Sequence, residues 1–287
     1  MRFILGIIFS VFLFNMPAFA GAKTLAELET ESGGRLGVSA INTANDQRIQ
    51  YRANERFPTA STFKMMGVAH VLKMSMTQSD ILQEKIMYTK QDLQAWSPIT
   101  QKHIVDGMSV LDLARATLEY SDSTAINVLM KKFGGPQAVN AFARSIGDDS
   151  FSLENYEPVN TDPKKLQDTT TPFAMQNSLQ KIAFGNVLGK IQREQLVTWM
   201  KNNTTGDTRI RAGVPKGWMV ADKTGSGNYG VRNDIGFIWP PNCAPIVIAI
   251  YLNDDKKDSI YRDDVLAQAT QIVIQEFAKT DHCIKLN

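Results

Sequence analysis

The spacing of apolar residues changes twice along the chain, and the changes outline its architecture. Leu25-Ala26-Glu27-Leu28 reads as helix, and Arg35 to Asn42 and Gln47 to Arg52 read as two strands. The Thr-Ala-Asn-Asp turn between those strands makes them a hairpin. From Thr62 to about Ala212 the period is helical, which predicts helices over Phe63 to Met76, Val110 to Tyr120 and Thr124 to Lys132, the last stopped by Gly134-Gly135. Further helices are expected over Pro136 to Ile146, Pro172 to Phe184 and Ile191 to Asn202. Strand patterns return only at Met219 to Thr224, Ile235 to Trp239 and Pro245 to Leu252, followed by an amphipathic helix from about Asp258 to Lys279.

An α/β (α+β) class fold accounts for this order. One antiparallel sheet is built from both chain ends with helices packed on it, and an all-helical domain is inserted between them. The expected division is residues 21–60 and 213–287 for the sheet domain and 61–212 for the helical one. A ligand would sit in the cleft between the two. No internal repeat or low-complexity linker argues for separate modules.

The N-terminus carries a different signal. Met1-Arg2 is basic, Phe3 to Phe14 is almost wholly apolar, and Ala18-Phe19-Ala20 is a small-x-small cleavage site. The apolar run is shorter than the roughly 20 residues of a spanning helix. Residues 1–20 are therefore expected to be a cleaved signal peptide, with soluble export to the periplasm if the source is Gram-negative. Cys243 and Cys283 are the only cysteines, and an oxidising compartment permits a bridge between them. A strand of about 26 Å and a returning helix of about 33 Å would bring Cys283 back toward Cys243. Two unpaired thiols remain equally compatible with the sequence.

Composition narrows the function mainly by exclusion. With 43% apolar and 21% charged residues and a formal net charge of +2, the chain is globular and has no broad field for nucleic acid or acidic membrane. A small-molecule partner and a monomer are expected. His70, His103 and His282 are the only histidines and show no paired spacing, so neither a zinc site nor any other cofactor is expected. Gly225-Ser226-Gly227-Asn228-Tyr229-Gly230 fits a dinucleotide fingerprint, but no helix begins at its end.

Candidate chemistry sits in three short motifs. Ser61-Thr62-Phe63-Lys64 places a hydroxyl at the start of a helix and an amine one turn later on the same face, a nucleophile beside its base. Ser178-Leu179-Gln180-Lys181 is a second copy, but inside a helix, so Ser61 is distinguished by the free N–H groups of a helix N-terminus. Ser121-Asp122-Ser123 lies between two helices and alone would read as an N-cap. Lys223-Thr224-Gly225-Ser226 ends a strand, where a cation and hydroxyls can bind a carboxylate.

In this order the three motifs resemble the set shared by class A β-lactamases and penicillin-binding proteins. Phe57-Pro58, Trp96-Ser97-Pro98, Asp106-Gly107-Met108, Thr124-Ala125 with Asn127, Asp168-Thr169-Thr170-Thr171-Pro172 and Asn233-Asp234-Ile235 extend the resemblance over most of the chain. Glu157-Pro158-Val159-Asn160 favours the β-lactamases, since hydrolysis of an acyl-enzyme needs a carboxylate to activate water. The resemblance implies that Ser61 attacks the lactam carbonyl, with Lys64, or Glu157 through water, accepting its proton. It further implies that Ser121 passes a proton to the leaving nitrogen and that the N–H groups of Ser61 and Ser226 hold the oxyanion. Lys223, Thr224, Ser226 and Arg211 would bind the substrate carboxylate, with Trp96 at the cleft mouth and Ser123 and Asn160 as further substrate contacts. A peptidoglycan carboxypeptidase or transpeptidase, or a non-catalytic β-lactam sensor, would share Ser61, Lys64 and Lys223.

Some positions depart from the family. Ser123 stands where asparagine is usual, the loop from Glu157 to Asp168 is two residues shorter, and Asn160 follows the glutamate by three rather than four. Asn155 replaces an arginine that usually pairs with the aspartate matched by Asp168. Ala60 and Gly227 occupy positions that are cysteines in some carbapenem hydrolysers.

Overall fold

The computed structural model describes residues 23–286, so the expected signal peptide lies outside the described residues. The sheet is antiparallel and joins the two ends of the chain. Its strands are β1 (Arg35–Asn42), β2 (Arg48–Tyr51), β3 (Met219–Ser226), β4 (Arg232–Trp239) and β5 (Ile246–Asn253), in the spatial order β2-β1-β5-β4-β3. β5 is central, and all eight of its residues are buried. Its alternation sorts two cores: Val247, Ala249 and Tyr251 face one, while Ile246, Ile248, Ile250 and Leu252 face the other.

The second core is closed by α1 (Leu25–Ser32) and by the last helix, α9 (Asp263–Ala278), through Leu25, Leu28, Val265, Leu266, Val273 and Phe277. On the other face lie α2 (Phe63–Met74), α3 (Val110–Glu119), α4 (Ser123–Lys132), α5 (Gly135–Ser145), α6 (Pro172–Phe184) and α7 (Lys190–Lys201). A four-residue α8 (Ile210–Gly213) leads back into β3. No described helix is long and apolar enough to cross a membrane.

Local chemistry explains several boundaries. α1 starts on a capping box between Thr24 and Glu27, and α6 starts with Pro172 behind the capping hydroxyl of Thr171. α4 is capped by Asp122, whose carboxylate accepts from Ala125 N at 2.9 Å and also from Ile99 N and Thr100 N. The expected start of α9 at Asp258 is five residues early, because the segment before Asp263 is irregular and carries the turn whose Lys257 carbonyl accepts from Tyr229 N.

Cys243 and Cys283 are bonded, with Cα atoms 5.9 Å apart, which settles what the sequence left open. The bridge ties the residues after α9 to the turn entering β5.

Arg211 requires a correction. Expected to bind the substrate carboxylate, it instead donates through Nε to Asp222 at 2.7 Å and through Nη2 to the carbonyl of Lys201 at 3.0 Å. Asp222 is fully buried on β3, so it needs a cation, and Arg211 is the one that reaches it. The backbone passes so close that a Cβ on Gly206 would lie 1.8 Å from Asp222 Oδ2. Removing the cation leaves a buried carboxylate unpaired. Arg211→Ala should therefore lower the unfolding free energy by about 3–5 kcal/mol in equilibrium urea denaturation; a change within about 0.5 kcal/mol would show that Asp222 does not depend on Arg211.

Candidate active site

Ser61 lies in a 3-10 turn, Ala60–Thr62, that runs directly into α2. The turn is held from several sides. Thr59 donates its N–H and hydroxyl to the Asp168 carbonyl at 2.8 and 2.9 Å, Thr62 closes back on the Thr59 carbonyl, and Asn233 Nδ2 donates to the Pro58 and Thr59 carbonyls. Ala60 is kept at φ 41° in this frame, a left-handed conformation that a non-glycine residue adopts only when its surroundings enforce it. Ser121 and Asp168, both at φ 55°, are the other such residues next to the cluster.

Lys64, the second residue of α2 and one turn beyond Ser61, is completely buried. Its ammonium lies 2.7 Å from Glu157 Oε1 and donates to the Ser121 carbonyl at 2.8 Å and the Ser123 hydroxyl at 3.0 Å. Ser123 thus takes over the lysine contact expected of an asparagine, through a shorter group. Ser61 Oγ donates to the same Glu157 Oε1 at 3.1 Å. Burial opposes ionisation of Glu157, but the Lys64 charge and the hydrogen bonds from Lys64 and Ser61 outweigh it and hold the carboxyl below the usual range.

Glu157 is placed by its backbone. Asn127 on α4 accepts from Glu157 N at 2.8 Å and donates to its carbonyl at 2.9 Å, and the Glu157-Pro158 peptide is cis. Asp168 organises the rest of the loop: it accepts from Glu154 N, Asn155 N, Asn155 Nδ2 and Asn160 N at 2.7–3.1 Å. The amide of Asn155 supplies the side-chain contact expected of the missing arginine.

Asn160 is the second correction. Expected as a substrate contact, its side chain instead turns into the loop, donating to the Asp162 and Gln167 carbonyls at 3.3 and 3.2 Å and accepting from Asp162 N. The shorter loop tightens at this point and uses the amide to close the turn. Thr161 reaches the site's edge instead, since a Cβ on Gly227 would lie 2.5 Å from Thr161 Cγ2. The usual spacing of four residues from the glutamate would have selected it.

β3 forms the opposite wall. A Cβ on Gly225 would meet the Thr59 carbonyl at 2.9 Å and Ser61 N at 3.2 Å, so only glycine lets the strand approach the serine this closely. Lys223 is buried and donates to Ser121 Oγ at 2.9 Å; burial and the nearby Lys64 charge push its pKa well below the usual lysine range. Arg209, absent from the sequence expectations, reaches the strand end: its Nη1 donates to the Gly225 and Asn233 carbonyls and its Nη2 to Ser226 Oγ, each at 2.8 Å. Asp263 steadies it at 3.1 Å. Arg209 and Arg211 are two residues apart, and only partners distant in sequence tell them apart.

Trp96 is exposed beside Ser121, its indole N–H donating to the Tyr120 carbonyl at 2.9 Å and its own carbonyl accepting from Ser123 N at 2.9 Å. Ser61, Lys64, Ser121, Ser123, Glu157 and Lys223 therefore form one hydrogen-bonded cluster, with Trp96, Thr224 and Ser226 at its borders. The second serine-lysine pair is separate from it. Ser178 binds the Asp148 carboxylate at 2.7 Å and Lys181 the Ile146 carbonyl at 2.6 Å, both holding the turn after α5. His70 packs against Phe142, and burial lowers its pKa. No set of metal-ligating side chains occurs among the described residues.

Comparison with known proteins gives a consistent result. A family model described as the β-lactamase enzyme family matches residues 21–277. A β-lactamase of Proteus vulgaris is 50% identical over 263 residues, covering 90% of this chain and 96% of its own. β-Lactamase OXY-1 of Klebsiella oxytoca is 50% identical over 255 residues, 88% of each chain. The crystal structure of a β-lactamase from Desulfarculus baarsii superposes with a TM-score of 0.87 at 42% identity, covering 88% of this chain and 95% of that one. With a match over nearly all of its sequence and relatives sharing half their residues, the chain belongs to the β-lactamase enzyme family, in class A.

Proposed function

We propose that the chain hydrolyses β-lactam antibiotics through an acyl-enzyme on Ser61, released by water that Glu157 activates. The observation that carries this reading is the Ser61 hydroxyl donating to a carboxylate already paired with a buried lysine. Lys64 Nζ has its donors directed at Glu157, Ser121 and Ser123, so Glu157 Oε1 is the acceptor for the Ser61 proton.

Ser61 Oγ attacks the lactam carbonyl as its proton passes to Glu157. The developing oxyanion lies between the N–H groups of Ser61 and Ser226, on the two segments that Gly225 brings together. The carbon–nitrogen bond then breaks and the ring nitrogen takes the Ser121 proton; Lys64, in reach of both Ser121 Oγ and Glu157, gives a proton to Ser121 and takes back the one that Glu157 received, so the carboxylate is ionised again before water enters. In the second half, water adds to the ester with its proton going to Glu157, and Ser61 leaves with a proton returned to its oxygen. Lys223, Thr224 and Ser226 hold the substrate carboxylate, with Arg209 in the role the sequence assigned to Arg211. Trp96 and Ser123 border the acyl side chain.

The substrate is a small molecule, and a monomer suffices because one chain supplies every group. Export, to the periplasm if the source is Gram-negative, follows from the pattern of residues 1–20 and agrees with the Cys243–Cys283 bridge.

Two predictions follow from these assignments. Glu157→Gln keeps the hydrogen bond to Ser61 but cannot take a proton, so acylation and deacylation should both slow and turnover of a chromogenic cephalosporin should fall at least about 100-fold below the parent; steady-state rates equal to the parent would remove Glu157 from the mechanism. The pH profile of kcat/KM should follow the two shifted groups. Glu157 must be ionised and its pKa is depressed, so activity should persist below the ordinary glutamate value of about 4.3 before it falls. Lys223 must be charged and its pKa is also depressed, so the alkaline limb should lie well below about 10.4 and move upward in Lys223→Arg. An alkaline limb unchanged by Lys223→Arg would exclude Lys223 as the titrating group.

A further inference from the structure

Two hydroxyls on β3 face the carboxylate end of the site, and their protons point in different directions. The direction can be worked out from donors that have no choice. Thr205 N is a backbone donor and lies 3.1 Å from Asn203 Oδ1, which fixes that atom as the amide oxygen. Asn203 Nδ2 consequently faces Asp222 Oδ2, at 2.8 Å. Thr205 Oγ1 is 2.8 Å from the same Asn203 oxygen, and two oxygens at that distance require a proton between them, which only Thr205 can supply. The Thr205 hydroxyl also contacts the Thr224 hydroxyl. With its own proton committed to Asn203, Thr205 can only accept there, so the shared proton belongs to Thr224.

The resulting relay runs from Thr224 through Thr205 and Asn203 to Asp222, the buried carboxylate that Arg211 neutralises. Ser226 has the opposite polarity. Its oxygen accepts from Arg209 Nη2, and its proton has no acceptor among the described residues. A carboxylate arriving at this strand meets a proton from Ser226 and a lone pair from Thr224.

We propose that Thr205 is a positioning residue that weakens substrate-carboxylate binding by holding the Thr224 proton away from it. To donate to the substrate, Thr224 must give up its bond to Thr205, and Thr205 is then left with one partner fewer. The inference rests on the reading of Thr224 as a carboxylate contact.

The test measures kcat and KM for a penicillin on the full chain. Thr205→Val is close in shape but has no acceptor, so the Thr224 proton is released. The expected result is a kcat/KM raised about three- to tenfold through a lower KM, with kcat unchanged, the size of one neutral hydrogen bond. Thr205→Ala should change kcat/KM in the same direction, and Thr205→Ser, which keeps the hydroxyl, should restore the parent values. In a Thr224→Val background, Thr205→Val should have no effect. The inference is overturned if Thr224→Val raises KM while Thr205→Val and Thr205→Ala leave it unchanged or raise it. If Thr224→Val itself leaves KM at the parent value, the carboxylate reading of Thr224 fails, and the inference fails with it.

Discussion

A buried ammonium is the constraint from which most of the site follows. Lys64 is fully enclosed, and a charge in that position is tolerated only if its hydrogen bonds and its counter-ion are supplied by protein. The groups that meet this demand come from different parts of the chain: Glu157 from the loop before α6, the Ser121 carbonyl from the turn between α3 and α4, and the Ser123 hydroxyl from the first turn of α4. Each is secured in turn. Asn127 clamps the backbone of Glu157, and Asp122 both caps α4 and binds the 99–100 segment. Satisfying one cation therefore fixes the separation of a serine, a carboxylate and a second lysine.

The same economy shapes the opposite wall. β3 must run against the Ser61 turn, and it does so because Gly225 has no side chain. Its charged and polar residues are then secured from the far side, Asp222 by Arg211 and Asn203, and Ser226 by Arg209. These contacts belong to the structural frame, yet they also decide which hydroxyl protons are free. In the proposed reaction Arg211, Asn203 and Thr205 thus influence substrate affinity without touching the substrate.

Much of this was legible in the sequence. The period of two in the hairpin and in the late strands, the period of 3.6 between them, and caps such as Thr171-Pro172 are local signals, and the elements appear where they indicate. The three motifs and Glu157 were legible as well, because each is contiguous and their order is informative. The misreadings share a physical cause. Arg209 and Arg211 are indistinguishable by composition, and only the buried Asp222 and the carbonyls of Gly225 and Asn233, all remote in sequence, assign one to the frame and the other to the strand end. Asn160 was expected as a substrate contact, but the shortened loop consumes its amide in a turn. Thr205 had no motif at all, and its role depends on the direction of a proton.

The central claim is that Ser61 carries a transient acyl group whose release is catalysed, and rapid-quench mass spectrometry tests it most directly. The purified chain, mixed with a penicillin and quenched over milliseconds to minutes, should show a mass increase equal to the whole antibiotic on the peptide containing Ser61. That adduct should disappear as the substrate is consumed, and Ser61→Ala should never form it. An adduct on another residue, turnover without any adduct in Ser61→Ala at the parent rate, or an adduct on Ser61 that persists for hours without turnover would each contradict the account.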